Sequence, residues 1–69
     1  MNRVSVSSSN VSEVDYDSAT MTLEIAFRNG TVYQYFDVPE AVYQELMRSE
    51  SIGKFINAQI KNSYRYTKI

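Results

Sequence analysis

The sequence contains neither cysteine nor histidine. Without thiols the chain forms no disulfide, no thiolate metal site and no thiolate nucleophile. Without imidazoles it also lacks the usual zinc ligand and the side chain that most often acts as a general base near neutral pH. Any catalysis would have to rest on carboxylates, lysines or tyrosines. We therefore expect a protein that is not an enzyme, with no catalytic residues, no metal site, no cofactor and no small-molecule substrate.

Long apolar runs are absent as well. No stretch approaches the roughly 20 apolar residues that a membrane-spanning helix needs. Residues 1–10 are polar and rich in serine, unlike a secretory signal. We therefore expect a cytoplasmic protein without a membrane partner, in which residues 1–10 form a flexible lead-in. Residues 11–69 are enough for one domain.

Charge is distributed unevenly along the chain, although the net charge is only −1. Residues 1–50 carry three arginines and eight carboxylates, a net charge of −5, whereas residues 51–69 carry four cations and no carboxylate. The small net charge argues against binding nucleic acid through bulk electrostatics. A nucleic-acid partner would have to use the basic C-terminal segment.

Apolar and polar residues alternate strictly over residues 21–28, which predicts a half-buried strand. A less regular strand precedes it, and Asn29 and Gly30 predict a hairpin turn after it. The sequence allows two registers for the pairing of the strands before and after this turn. A two-residue turn places Gln34 on the core face, whereas a bulge at Gly30 places Tyr33 and Tyr35 there. The second is favoured, because an unpaired amide in the core costs about 1–3 kcal/mol. Its cost is an exposed Phe36, unless the second face of the sheet is also covered.

Pro39 then suits the first position of a helix that runs to about Arg48. Ser51 is a plausible N-cap for a second helix with one apolar side. The tail, residues 64–69, alternates again and could return as a last strand. The predicted fold is α+β: a small antiparallel sheet of three to four strands with two helices packed on one face, in the order β-β-β-α-α-β.

Acidic residues around the first turn resemble a calcium loop at first sight: Glu13, Asp15, Asp17 and Glu24. That loop requires glycine where Ser18 stands, and helices on both sides where we predict strands. We interpret these carboxylates as solvated polar residues.

Aromatic residues are frequent, with six tyrosines and three phenylalanines. Tyr33 and Tyr35 are best explained by cross-strand packing under the helices. In the tail, however, tyrosines alternate with cations, as in proteins that bind single-stranded nucleic acid. The candidate nucleic-acid-binding residues are Lys54, Lys61, Tyr64, Arg65, Tyr66 and Lys68.

Residues 9–64 resemble the KTSC domain, a short family that occurs at the C-terminus of some lysyl-tRNA synthetases and as a free-standing bacterial protein. The likeness is carried by Tyr16-Asp17, Leu23-x-Ile25-x-Phe27-x-x-Gly30-x-x-Tyr33-x-Tyr35-x-x-Val38-Pro39, Ser51-x-Gly53-x-Phe55 and Ile60-x-x-x-Tyr64. The central Tyr33-Gln34-Tyr35 is the hallmark of the family. We expect the family residues Gly30, Tyr33, Tyr35 and Pro39 to be structural.

The resemblance implies a small binding module whose activity is not established. The attachment of the domain to a tRNA-charging enzyme implies RNA as a candidate partner. Our leading prediction is RNA binding through the basic, tyrosine-containing C-terminal segment. The alternative is a protein–protein interaction module or a homodimer, formed along a sheet edge or through an exposed aromatic face.

Overall fold

The alternating segments of the first half pair into an antiparallel sheet, as their periodicity predicts. The computed structural model describes residues 4–6 and 9–69. The strands are β1 Val4–Ser5, β2 Val11–Asp17, β3 Thr22–Phe27, β4 Val32–Tyr35 and β5 Tyr66–Lys68. The helices are α1 Glu40–Arg48 and α2 Ile52–Phe55, and α2 continues into a π-helical turn at Ile56–Ile60. The sheet order follows the chain, β1-β2-β3-β4-β5, and every neighbouring pair is antiparallel.

The α+β prediction is confirmed, but the described residues form five strands rather than three to four. The additional strand, β1, lies within the ten residues expected as a lead-in, of which 1–3 and 7–8 lie outside the described residues. It is two residues long and pairs with Val14 and Glu13 of β2. A two-residue strand is too short to leave a period in the sequence.

The hairpin adopts the register with the bulge at Gly30. Leu23 pairs with Tyr35 and Ile25 with Tyr33. Gly30 has a φ of 91°, and its N–H donates to the Phe27 carbonyl at 3.0 Å to close the turn. Only glycine adopts such a backbone without strain, so this residue decides that Tyr33 and Tyr35, and not Gln34, face the helices.

A second bulge explains the irregular spacing of β2. The pairing shifts between Val11, which lies opposite Phe27, and Glu13, which lies opposite Ala26. The residue between them is the extra residue of the bulge, and it shifts the alternation of side chains by one. Val11 and Val14 therefore both point towards the core, although they are three residues apart.

The helices begin near the predicted caps. α1 begins at Glu40, so Pro39 is its N-cap and not its first residue. The Ser51 side chain caps α2 as predicted, because its Oγ accepts a hydrogen bond from the Lys54 N–H at 3.3 Å. None of the helices in the described part of the chain is long and apolar enough to span a membrane.

The core lies between one face of the sheet and the helices. Its buried residues are Val11, Val14, Leu23, Ile25, Tyr35, Val38, Leu46, Ile52, Ile56 and Ile60. The face of the sheet that packs against the helices is called the inner face below. The outer face carries the alternate residues of the same strands, among them Asp15, which pairs with Glu24, and Gln34, which pairs with Glu24 from the other side.

Candidate nucleic-acid interface

Four aromatic rings meet on the inner face, at the end of the sheet where β4 and β5 pair. Ring centroids lie 5.7 Å apart for Phe27 and Tyr33, for Tyr33 and Tyr66, and for Tyr35 and Tyr66. Strand register brings them together, because Tyr35 pairs with Tyr66 across β4 and β5. We call these four residues, Phe27, Tyr33, Tyr35 and Tyr66, the aromatic platform.

The platform is buried at one side and open at the other. Tyr35 is 4% exposed and belongs to the core, whereas Tyr66 is 57% exposed. Burial, with smaller contributions from Tyr33 and Tyr66, raises the pKa of the Tyr35 hydroxyl above its usual value. Tyr33 and Phe27 are half-buried between these two. The platform thus rests on the core and leaves the Tyr66 ring largely exposed.

Two of the predicted lysines border the platform. Lys68 pairs with Tyr33 across the β4–β5 ladder, so both side chains lie on the inner face. Lys61 follows the π-helical turn and lines a cleft of about 170 Å³ together with the platform. Ile56 and Asn57 form the helical wall of that cleft. Aromatic faces beside ammonium groups are the combination that binds bases and phosphates.

The structure separates Arg65 from these residues. Arg65 directly precedes β5, and its carbonyl accepts from the Phe36 N–H at 2.9 Å, so the pairing continues one residue beyond the strand and the Arg65 side chain points to the outer face. There its guanidinium lies 3.1 Å from a carboxylate oxygen of Asp37 and 5.9 Å from the centroid of the Phe36 ring. The second contact partly covers Phe36, which is half-buried. Arg65 and Tyr66 are neighbours in the sequence. Because successive side chains of a pleated chain point to opposite faces of the sheet, the two side chains are nevertheless separated.

Tyr64 is also not on the platform. It is half-buried and packs against the hydrophobic core. Lys54 lines a second depression, together with Glu50, Ser51, Gly53 and Asn57. Of the six predicted binding residues, the platform region therefore contains Lys61, Tyr66 and Lys68.

The depressions adjoin one another along the helical wall. Asn57 lines the platform cleft, the depression near Lys54 and a third depression between them. Phe27 borders both the platform cleft and this third depression. We call the whole feature the groove. It runs from Lys61 past Asn57 to Lys54.

The helical wall of the groove contains the π-helical turn. The Lys61 N–H donates to the Ile56 carbonyl at 2.8 Å, five residues back. Such turns are rare and occur often at functional sites. Ile56 and Ile60 are buried, whereas Asn57 is exposed within the groove. The sequence gives no sign of the wider turn, so the role of Asn57 in the groove was missed.

The outer face of the sheet carries negative charge, in contrast to the lysines that border the platform. Glu13, Asp15 and Asp17 alternate along β2, and Glu24 lies opposite Asp15 on β3. Asp15 is 6% exposed, so the expectation that it is solvated is wrong, and its Oδ1 has no hydrogen-bond partner among the described residues. These carboxylates lie in strands, as the interpretation against a calcium loop requires. A polyanion would be repelled from this face, so the groove is the better candidate.

Comparison with known proteins gives a consistent family match. The KTSC domain profile matches residues 7–64. An uncharacterised protein from Stutzerimonas stutzeri is 37% identical over 100% of this chain and 99% of its own length. A lysine–tRNA ligase from Trichormus variabilis is 38% identical over 86% of this chain, which corresponds to 10% of the ligase.

A solved structure has the same fold. The crystal structure of a KTSC domain protein from Yersinia pestis superposes with a TM-score of 0.93 and 40% sequence identity. The match covers 99% of this chain and 96% of the other. The family profile and the fold therefore agree over nearly the same residues.

Proposed function

The chain belongs to the KTSC domain family, and on that premise we propose that it is a small RNA-binding module that holds single-stranded RNA across the aromatic platform. One observation carries the proposal: an exposed tyrosine ring, Tyr66, lies on a cluster of three further rings and is bordered by Lys61 and Lys68. Stacking on such rings contributes about 1–3 kcal/mol per base and tolerates any sequence.

The distribution of charge favours the same face. Lys61 lines the depression at one end of the groove, and Lys54, together with Glu50, lines the depression at the other end. The outer face is acidic, so RNA that approaches the domain is directed towards the groove. The similarity to a tenth of a lysine–tRNA ligase from Trichormus variabilis also associates the family with an RNA-charging enzyme.

The proposal is tested by titrating isotope-labelled protein with a short mixed-sequence RNA and recording NMR shifts at low and at physiological salt. We expect progressive shifts at the platform and at Lys61 that weaken as salt rises. Tyr66→Ala should weaken binding roughly tenfold, because one stacking surface is lost.

The matched control is Tyr66→Phe, which keeps the ring and should bind like the parent. Tyr66 is largely exposed, so neither substitution should disturb the fold. An absence of shifts at low salt, or equal binding by Tyr66→Ala, would contradict the proposal.

A second candidate function is self-association along β5. This strand lies at an edge of the sheet formed by the described residues. The Arg65 carbonyl accepts from the Phe36 N–H, just after β4, and the Ile69 N–H donates to the Val32 carbonyl. The backbone groups of Tyr66 and Lys68 therefore face away from β4. A second copy pairing there would add hydrogen bonds that are independent of RNA.

Sedimentation equilibrium over a range of concentrations distinguishes the two candidates. A mass that rises with concentration and does not change at high salt favours self-association. A constant monomer mass with salt-sensitive RNA binding favours the RNA module.

A further inference from the structure

The depression between the platform and Lys54 is lined by amide side chains. It has a volume of about 490 Å³, and its walls include Asn10, Phe27, Arg28, Asn29, Gly53 and Asn57. Three asparagines thus converge from three separate segments: the chain before β2, the hairpin turn and the π-helical turn. We call this depression the amide pocket.

Hydrogen bonds constrain the chain at two of these asparagines. The Arg28 N–H donates to the Asn10 carbonyl at 2.8 Å, which joins the chain before β2 to the hairpin. The Asn29 Oδ1 accepts from the Thr31 N–H at 3.0 Å, which orders the turn. The pocket is therefore built from constrained segments.

Asn57 differs from the other two. No hydrogen bond engages its side chain among the described residues, and it lines every depression of the groove. Gly53, one helical turn earlier, has no side chain to fill the same wall. A ligand in the pocket can therefore reach the Asn57 amide directly.

The chemistry of the lining suits the edge of a nucleobase. A primary amide offers a donor and an acceptor side by side, and asparagine pairs in this way with N6 and N7 of adenine. No acidic side chain lines the pocket within the described part of the chain. Phe27 belongs to both the platform and the pocket, so a base in the pocket adjoins the bases stacked on the platform.

We infer that the amide pocket reads one base of the bound strand through Asn57 and prefers adenine. This inference rests on the proposed RNA binding and adds a sequence preference to it. The platform then supplies affinity for any base, whereas the amide pocket supplies the discrimination.

The test uses short uridine-rich RNAs that differ at one central position, which is adenine, guanine, cytosine or uracil. Adenine and guanine are both purines and stack similarly, so their ratio isolates the contribution of hydrogen bonds. We expect the adenine RNA to bind about fivefold or more tightly than the guanine RNA. Asn57→Ala should abolish this ratio, and it should weaken the adenine RNA more than the all-uridine RNA, because only the adenine RNA loses the paired amide.

Gln59→Ala is the matched control, since Gln59 is another exposed amide two residues further along the same π-helical turn. It should keep the adenine preference. In labelled protein, the side-chain NH₂ signal of Asn57 should shift with the adenine RNA more than with the all-uridine RNA.

Equal affinity for all four RNAs, or an adenine preference that survives in Asn57→Ala, overturns the inference and leaves the proposed function intact. Failure of every RNA to bind overturns both.

Discussion

Tyr16 joins the sheet to the start of α1 through two different contacts. Its hydroxyl donates to the Val38 carbonyl at 2.6 Å, and its ring stacks on Tyr43 with centroids 4.8 Å apart. Val38 is buried, so its carbonyl needs a partner within the protein. The hydroxyl therefore fixes the segment that leads from β4 into the helix.

We predict that Tyr16→Phe lowers the free energy of unfolding by about 1–2 kcal/mol, because the hydrogen bond is lost while the stacked rings remain. Urea denaturation followed by circular dichroism measures the change. Tyr43→Phe is the control, since it keeps the same stack and leaves the hydrogen bond in place. Equal losses in the two variants would show that the hydroxyl contributes nothing specific.

Two tyrosines make the stability sensitive to alkaline pH. Burial raises the pKa of Tyr16, with smaller contributions from Glu40 and Asp17, and burial likewise raises the pKa of Tyr35. Both hydroxyls therefore ionise less readily in the folded than in the unfolded chain. Their contribution to stability is complete below about pH 10, the usual tyrosine pKa, and is lost as the pH rises through the raised values.

We therefore expect the urea midpoint to be level up to about pH 10 and to fall above it. The double variant Tyr16→Phe, Tyr35→Phe should show a smaller alkaline fall than the parent, because the two groups that must ionise are absent. If the parent and the double variant fall equally, the pH dependence comes from other groups.

At the scale of elements, the β3–β4 hairpin determines which side chains reach the platform. Gly30 sets the register, and a Cβ placed on it would meet nothing within 4 Å in the described part of the chain. The loss in Gly30→Ala would therefore come from the backbone alone, at φ 91°, and we predict about 1–2 kcal/mol. Gly30→Asn should lose less, since asparagine tolerates positive φ. Urea denaturation of both variants measures the difference, and equal losses would contradict this account.

The same hairpin shows why the sequence predicted so much of the sheet. The alternation in β3 and the turn residues predict the hairpin, and the polarity of Gln34 favours, between two open registers, the one that the structure adopts. Ser51 as the cap of α2 follows for the same reason, because capping depends on a few adjacent residues.

Other elements depend on contacts that no local pattern records. β1 exists through its pairing with β2, and the bulge between Val11 and Glu13 is a property of two strands together. The π-helical turn that places Asn57 in the groove likewise has no sequence signature of its own. The sequence predicts that the tail could form a strand. It does not show that Arg65 and Tyr66 point to different faces of the sheet, because this follows from the pairing of β5 with β4.

At the scale of the molecule, the domain has two faces of unlike charge. Residues 1–50 have a net charge of −5, and the carboxylates of β2 and β3 among them lie on the outer face. Lysines of the last 19 residues, in contrast, border the groove. A net charge near zero therefore conceals a polarity that can orient an approaching polyanion.

This polarity predicts how each cation contributes to binding. If RNA lies in the groove, Lys61→Gln and Lys68→Gln should each lower the slope of log affinity against log salt by about 0.7, as expected for one phosphate contact on a single strand. Arg65→Gln removes the same charge from the outer face, where Arg65 already pairs with Asp37. It should leave the slope unchanged.

Fluorescence anisotropy with a labelled RNA at several salt concentrations measures all three slopes. If Arg65→Gln lowers the slope as much as the lysine variants do, the cations act through the overall charge of the domain. The groove would then not be the binding site, because a phosphate held between Lys61 and Lys68 is on the opposite side of the sheet from Arg65.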